Sequence, residues 1–167
     1  VKDIDNGYRA AMKAMRDMAK GRHVVAGIRG EKGAQRHPPA DGEDGAGSDL
    51  SIVEIAAVNE FGTDDGHIPS RPAFRATFDK NRSKYERAIK IGVGHILDGN
   101  STLDVEFGRL GLRMASDIQS AISEGIAPEN APSTIARKGS EKPLIASGRT
   151  RQSIDSEVRA KRSGRGT

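Results

Sequence analysis

Four histidines are spread along this chain, His23, His37, His67 and His95, and no two stand at a spacing that would bring both rings to one metal or one substrate. Neither HxxxH nor HExxH occurs, and no carboxylate-flanked pair takes their place. The nearest thing to a ligand set is "DDGH", where Asp64, Asp65 and His67 could close on a hard cation. That stretch is too short for an EF-hand loop and lacks its distal Glu, whereas Asp and Gly before Pro69 are ordinary turn formers. "GEKGAQR", residues 30–36, has the glycines of a phosphate loop without its spacing or its terminal Lys-Ser/Thr pair. Ser147 in "ASGRT" lacks the nucleophile-elbow pattern. Cysteine is absent, which removes thiolate nucleophiles, disulfides and Cys-ligated zinc together and fits a reducing compartment. The expectation is a protein with no catalytic residues, no cofactor and no metal.

Charge offers a different chemistry. Arg71, Arg75, Lys80, Arg82, Lys84 and Arg87 follow one another along a single helical stretch, which they share with Asp79 and Glu86. A solvated face opposite an apolar stripe looks the same. With a net charge of +4 and basic residues along the whole chain, contact with a phosphate backbone is open and base reading is not suggested. No run approaches the ~20 apolar residues of a membrane span.

The elements that must carry these residues are legible from periodicity. Ile4, Tyr8, Ala11, Met12, Met15 and Met18 form one helical stripe over residues 3–20, ended by Gly21. "HVVAGI", residues 23–28, reads as a strand. Residues 29–49 are nearly devoid of large apolar side chains and read as a flexible surface loop. "SDLSIVEIAAVNEFG" offers Asp49 or Ser51 as a cap, with Ser51 three residues before Glu54. Its β-branched residues argue for strand, but its length, capping and Gly62 stop favour helix. Ser70 can cap the next helix with Pro72 in its first turn; its stripe is Phe74, Phe78, Tyr85, Ile89 and Ile96, ending near Gly99.

A second long helix opens with Ser101 and Asp104 as a capping box and carries Leu103, Phe107, Leu110, Met114, Ile118 and Ile122, with Gly108 and Gly111 beside the stripe for close approach of another element. Residues 126–148 are punctuated by Pro and Gly, with a possible helical turn at Ser133–Arg137, and "SIDSEVRA", residues 153–160, alternates as a half-buried strand does. The sum is an α+β fold: a small antiparallel sheet packed against two long helices, with additional shorter helices and long loops. One domain is expected over residues 1–160, followed by a loose basic tail, 161–167. Two strands make a marginal sheet, so either further strands exist or a neighbouring subunit completes an edge.

Two proline-bearing segments carry a resemblance. "VEIAAVNEFGTDDGHIPSRPAFRATFD", residues 53–79, resembles the signature EFG…IPxRPFxR of tailed-phage and prophage tail-completion proteins (virion morphogenesis, or neck, proteins), with RPAF in place of RPF. "APSTIARKGSEKPLIASGRTRQSI", residues 131–154, is similar to that family's second signature, TxxRKGsxxPLxxTGxLxxSI, with SGRT in place of TGxL. Order and separation also agree.

The resemblance implies a structural virion protein, made in the bacterial host cytoplasm, that forms a homo-oligomeric ring of six or twelve copies at the head–tail junction. Its partners would be other neck proteins, the tail tube and the head connector, with DNA passing through the lumen without sequence-specific binding. Pro69 and Pro72 would then stiffen a loop that presents Arg71, Phe74 and Arg75 to a neighbour. Lys138, Gly139, Pro143, Leu144 and Gly148 would belong to a second contact arm. A local reading of both segments, as a helix start and a loop covering the helix pair, stays open beside it. The alternative from another class is a basic DNA-associated protein binding phosphate backbone non-specifically.

Overall fold

The stripe of α1 (Tyr8–Ala19) turns its small residues inward: Ala14 is buried and Met18 half-buried, while Tyr8 and Met15 face solvent. The structure, a computed structural model, describes residues 7–36, 50–138 and 148–160. After α1 come β1 (Arg22–Ile28), α2 (Gly30–Ala34), α3 (Ile52–Phe61), α4 (Ala73–Leu97), α5 (Leu103–Glu124), α6 (Pro132–Lys138), α7 (Arg149–Gln152) and β2 (Ile154–Ala160). The fold is α+β as expected. β1 and β2 pair as a two-stranded antiparallel sheet packed against α4 and α5. No third strand occurs among the described residues.

Internal contacts group the described residues into two units, one of 7–26, 81–114 and 156–160, the other of 27–36, 50–80, 115–138 and 148–155. In the first, Ala14, Ile96 and Leu103 form a buried cluster, flanked by Met18, Leu97 and Phe107. Both strands lie close over Gly111 of α5. A Cβ placed there would meet Ser156 Oγ at 2.8 Å, Ser156 Cβ at 2.9 Å and Val24 Cγ1 at 3.1 Å. The expected close approach is therefore real at Gly111, whereas Gly108 has nothing within 4 Å.

The cap of α5 differs from the expected box. Thr102 is the residue whose hydroxyl accepts from Val105 N at 3.4 Å, and Asp104 pairs with Arg22 instead. A partner from β1 outcompetes a local backbone bond for the same carboxylate. Glu106, two residues further, accepts from Arg109 Nη1 at 2.8 Å and lies 3.3 Å from His95 Nδ1.

In the second unit the buried apolar side chains are Ile52, Ala56, Ala73, Ala115, Ile118, Ile122 and Ile154. Ile52 and Ile122 are fully covered, each contributing about 1.5–3 kcal/mol over its exposed state. The contest over residues 52–61 is won by helix, with the Ser51–Glu54 capping box formed reciprocally. Glu54 Oε2 accepts from Ser51 N at 2.8 Å, and Ser51 Oγ accepts from Glu54 N at 3.3 Å. Residues 29–36, expected as loop, contain α2. Gly33 sits against Ile28 and Val53, close enough that a Cβ would come within 3.0 Å of Ile28 Cγ2. Arg36 and Ser51 form an antiparallel bridge, with Ile52 N donating to Gln35 O at 2.9 Å. Residues 37–49 and the 161–167 tail lie outside the described residues.

The expected stripe of α4 is only partly buried. Tyr85 and Ile96 are covered, whereas Phe78 and Ile89 are exposed and Thr77 is buried in their stead. The helix faces the interior with its smaller residues at its start, Ala73 and Thr77.

Two predictions follow from these contacts. Gly111→Ala gains up to ~1 kcal/mol of helix propensity but forces strand β2 outward, at a cost of about 1–3 kcal/mol. The net expectation is a lower thermal midpoint, measured by circular dichroism. The second concerns acid. The Ser101 hydroxyl, then His95 and Arg109, hold the Glu106 carboxyl below its ordinary 4.5 against the opposing effect of burial. Its folded value is depressed, so its contribution is complete above the ordinary glutamate value and is lost as pH falls through the lower folded one. Denaturant unfolding at stepped pH should show Glu106→Gln losing stability less steeply below about pH 4.5 than the parent.

Candidate interface site: the 60–75 elbow

The last turn of α3 ends in "EFG", and each of its three residues is used differently. Glu60 is 6% exposed, an unusual place for a carboxylate. Its two oxygens receive the first free N–H groups of α4, Phe74 N on Oε2 at 3.0 Å and Arg75 N on Oε1 at 3.0 Å. Arg75 Nε also donates to Oε1, at 3.1 Å, and Arg75 Nη2 donates to the Glu60 carbonyl at 3.1 Å. One buried anion thus caps a 25-residue helix and meets its N-terminal dipole. Ser70, the expected cap, instead donates its hydroxyl to the Glu60 carbonyl at 2.9 Å. Pro72 precedes the first helical residue, and its carbonyl accepts from Ala76 N at 3.0 Å.

Gly62 makes the elbow possible. It holds φ +79° with ψ −174°, a region only glycine enters without strain. A Cβ would stand 2.9 Å from both Ile68 O and Ser70 N, which are backbone atoms with no room to yield.

The "TDDGHIP" turn closes on itself. Thr63 N donates to Ile68 O at 3.0 Å, Ile68 N to Thr63 Oγ1 at 3.0 Å and His67 N to Asp65 Oδ1 at 3.0 Å. The Thr63 hydroxyl, then the His67 amide, hold the Asp65 carboxyl below its ordinary value. Asp65 is thereby committed to the turn. Among the described residues no group of three His, Asp or Glu is arranged to hold a metal ion.

Arg71 is 6% exposed. Its Nε donates to Pro128 O at 2.6 Å, Nη2 to Glu129 O at 3.0 Å and Nη1 to Asn59 Oδ1 at 3.4 Å. Its own N–H donates to Asn59 O at 2.6 Å. The guanidinium therefore binds the 126–131 loop to the elbow within one protomer, and burial lowers its pKa from the ordinary value. Three carbonyl and amide acceptors compensate for its loss of water.

What the elbow leaves in solvent is a small aromatic–cation surface. Phe61 is 67% exposed, and the Arg75 guanidinium lies 4.9 Å above its ring centroid. Phe78, three residues after Arg75 on α4, is 46% exposed. Phe74 is half-buried beside Gly27 of β1, Pro69 is exposed and Pro72 half-buried.

Of the second arm, Lys138 ends α6 and Gly148 stands at φ +65° before α7; Gly139, Pro143 and Leu144 lie outside the described residues. Thr150 is buried, and α7 is fastened by Arg151 Nη1 donating to Ser123 Oγ at 3.0 Å. The sequence reading had Arg71, Phe74 and Arg75 presented together to a neighbour; the structure turns Arg71 inward onto Pro128 and Glu129, half-buries Phe74 and leaves Arg75 exposed, and Glu60 and Phe61 were not anticipated. Glu60 had a readable signal: an acid in the last turn of a helix opposes the dipole there, so it needs a partner elsewhere.

Comparison with protein-family models, with curated proteins and with solved structures finds no match to this chain.

Two substitutions separate these roles. Glu60→Ala removes the cap of α4 and the Arg75 pair, and should cost about 2–4 kcal/mol in denaturant unfolding. Gly62→Ala should cost about as much through backbone strain and the two close contacts, leaving every side chain of the elbow unchanged.

Proposed function

We propose that this chain is a structural protein of a tailed-phage or prophage virion that assembles as a ring at the head–tail junction, joining the tail tube to the head connector. The single observation that carries the reading is the 60–78 surface. An elbow secured by Glu60, Gly62 and Arg71 keeps Phe61, Arg75 and Phe78 in solvent. Exposed aromatics beside an arginine have the composition of an interface hot spot, and a surface already held in place loses little further entropy on binding. The segment is the same one whose sequence resembles the tail-completion signature. In this reading Arg71 acts within the protomer, shaping the surface, and Arg75 with the two phenylalanines meets the neighbour.

A second feature supports assembly. Each of the two strands has one edge that no described strand covers, and strand addition by a neighbour would relieve that. The mechanism is architectural: a protomer whose thin core gains stability from its neighbours.

A basic DNA-associated protein is the second reading, favoured by one observation. Lys80, Arg82, Lys84, Arg87 and Lys90 are all exposed along α4. Arg82 already pairs with Glu86 at 3.1 Å, which lowers the charge available there.

Light scattering behind size exclusion, over a concentration series and with purified tail tubes, tests the leading reading. A closed ring, or a monomer that assembles on tails, is expected, and Phe61→Asp with Phe78→Asp should abolish either while the melting curve stays within a few degrees of the parent. A stable monomer that ignores tails and retards DNA with steep salt dependence would overturn it in favour of the second reading.

A further inference from the structure

Helix α3 carries apolar residues on every side, and a helix of that kind is ordinarily covered all round. Here Ile52, Ala56 and Glu60 face inward, while Val53, Ala57 and Phe61 stand in solvent, four residues apart along one line. The line begins beside Glu54, which is exposed and whose bonds from Ser51 fall on Oε2, and it ends at Phe61 with the Arg75 guanidinium above the ring. A second such line runs along α5. Val105 and Leu112, two turns apart, are 46% and 67% exposed. Between them Gly108 has no side chain, and among the described residues nothing lies within 4 Å of where its Cβ would stand. Glycine inside a helix lowers stability relative to alanine, and no described part of the protomer enters the room it leaves. Asp104 stands at the start of this line and Arg113 at its end, both exposed.

We propose that the Val105–Leu112 face of α5 receives the Phe61 surface of a second copy of this chain, with the Phe61 ring seated over Gly108 and the two helices antiparallel. The inference rests on the ring reading and names the surface that its contact meets. Charge order sets the occupant and its direction. Each line runs from an acid to an arginine, Glu54 to Arg75 at α3 and Asp104 to Arg113 on α5, so antiparallel docking places opposite charges at both ends and parallel docking places like charges there. Asp104 keeps Arg22 and Arg75 keeps Glu60, so that end joins pairs already formed, and the new ion pair is Glu54 with Arg113. The lengths agree. Glu54 lies seven residues from Phe61, about 10 Å, and Arg113 lies five from Gly108, about 7.5 Å, which its side chain extends. Pairing α3 with a second α3 would satisfy the same charges, but it sets Phe61 against Val53 with no hollow to enter, and its two-fold symmetry stops at two copies. Docking α3 on α5 joins unlike faces, which is the kind of contact that a ring repeats.

The test is light scattering behind size exclusion on the full chain, alone and with purified tail tubes. Gly108→Leu and Leu112→Asp should each abolish the ring, or its assembly on tails, as Phe61→Asp does. Gly108→Leu fills open space and removes a helix glycine, so its melting midpoint should equal or exceed the parent's, which separates a lost contact from a lost fold. Phe61→Asp and Leu112→Asp spoil different faces, so an equimolar mixture should give a dimer joined through the one intact pair, and neither variant alone should. Arg113→Glu should raise the protein concentration needed for assembly by about tenfold, and adding Glu54→Arg to it should recover most of that loss. Assembly unchanged by Gly108→Leu and Leu112→Asp overturns this inference and leaves the ring reading standing, as does a mixture that stays monomeric beside a parent that forms rings. A Leu112→Asp protein that still dimerises shows α3 pairing with itself and overturns it too. A parent that never assembles, with or without tails, overturns both.

Discussion

A single buried carboxylate organises the junction between α3 and α4. Glu60 satisfies two of the orphan N–H groups at the start of α4 and pairs with Arg75 in the same turn. A helix end buried without partners would carry a penalty of about 1–3 kcal/mol for each unmet group. Because the capping group comes from the end of α3 rather than from the residue before α4, it also fixes the path between the two helices. The chain must reverse within residues 62–72, and that reversal is what Gly62 and the closed Thr63–Ile68 turn provide. Arg71 then has its place decided, with its guanidinium turned to the carbonyls of Pro128 and Glu129.

The two arginines of "RPAFR" accordingly differ in kind. Arg71 lies inside, where its hydrogen bonds replace lost hydration, and its value is in the shape it holds. Arg75 lies outside, with its charge met by Glu60 and its guanidinium carbon over the Phe61 ring. An arginine that stacks on a ring while paired keeps a rigid, half-apolar surface, and stacked guanidinium groups are well suited to interfaces. This division lets one short motif serve as both a structural pin and a contact surface.

The strands and the long helices meet through small residues. Gly111 brings the sheet within van der Waals distance of α5, and Gly33 does the same for α2. With aromatics at 4% of the chain, large side chains are too few to fill wide gaps, so close approach of the backbone replaces side-chain volume. The cost is sensitivity: packing of this kind tolerates little added volume.

Periodicity and glycine placement by themselves determined the order of the long helices and the two strands, the stripe of α5 and the capping box of α3, whereas the short helices α2 and α7 were not read from the sequence. These depend on neighbours three or four residues apart, and such information is local in the chain. The cap of α4, the pairing of Asp104 with Arg22 and the burial of Thr77 in place of Phe78 were decided by tertiary structure. Each depends on groups far apart in sequence, for which no spacing rule exists. Ser70 and Ser101 show why. Both are good local caps, yet a carboxylate from another helix binds backbone N–H groups more strongly than a serine hydroxyl, and at α5 a threonine one residue later sets the helix start. Local propensity proposes the helix ends, and the strongest available acceptor, wherever the fold delivers it, disposes of them.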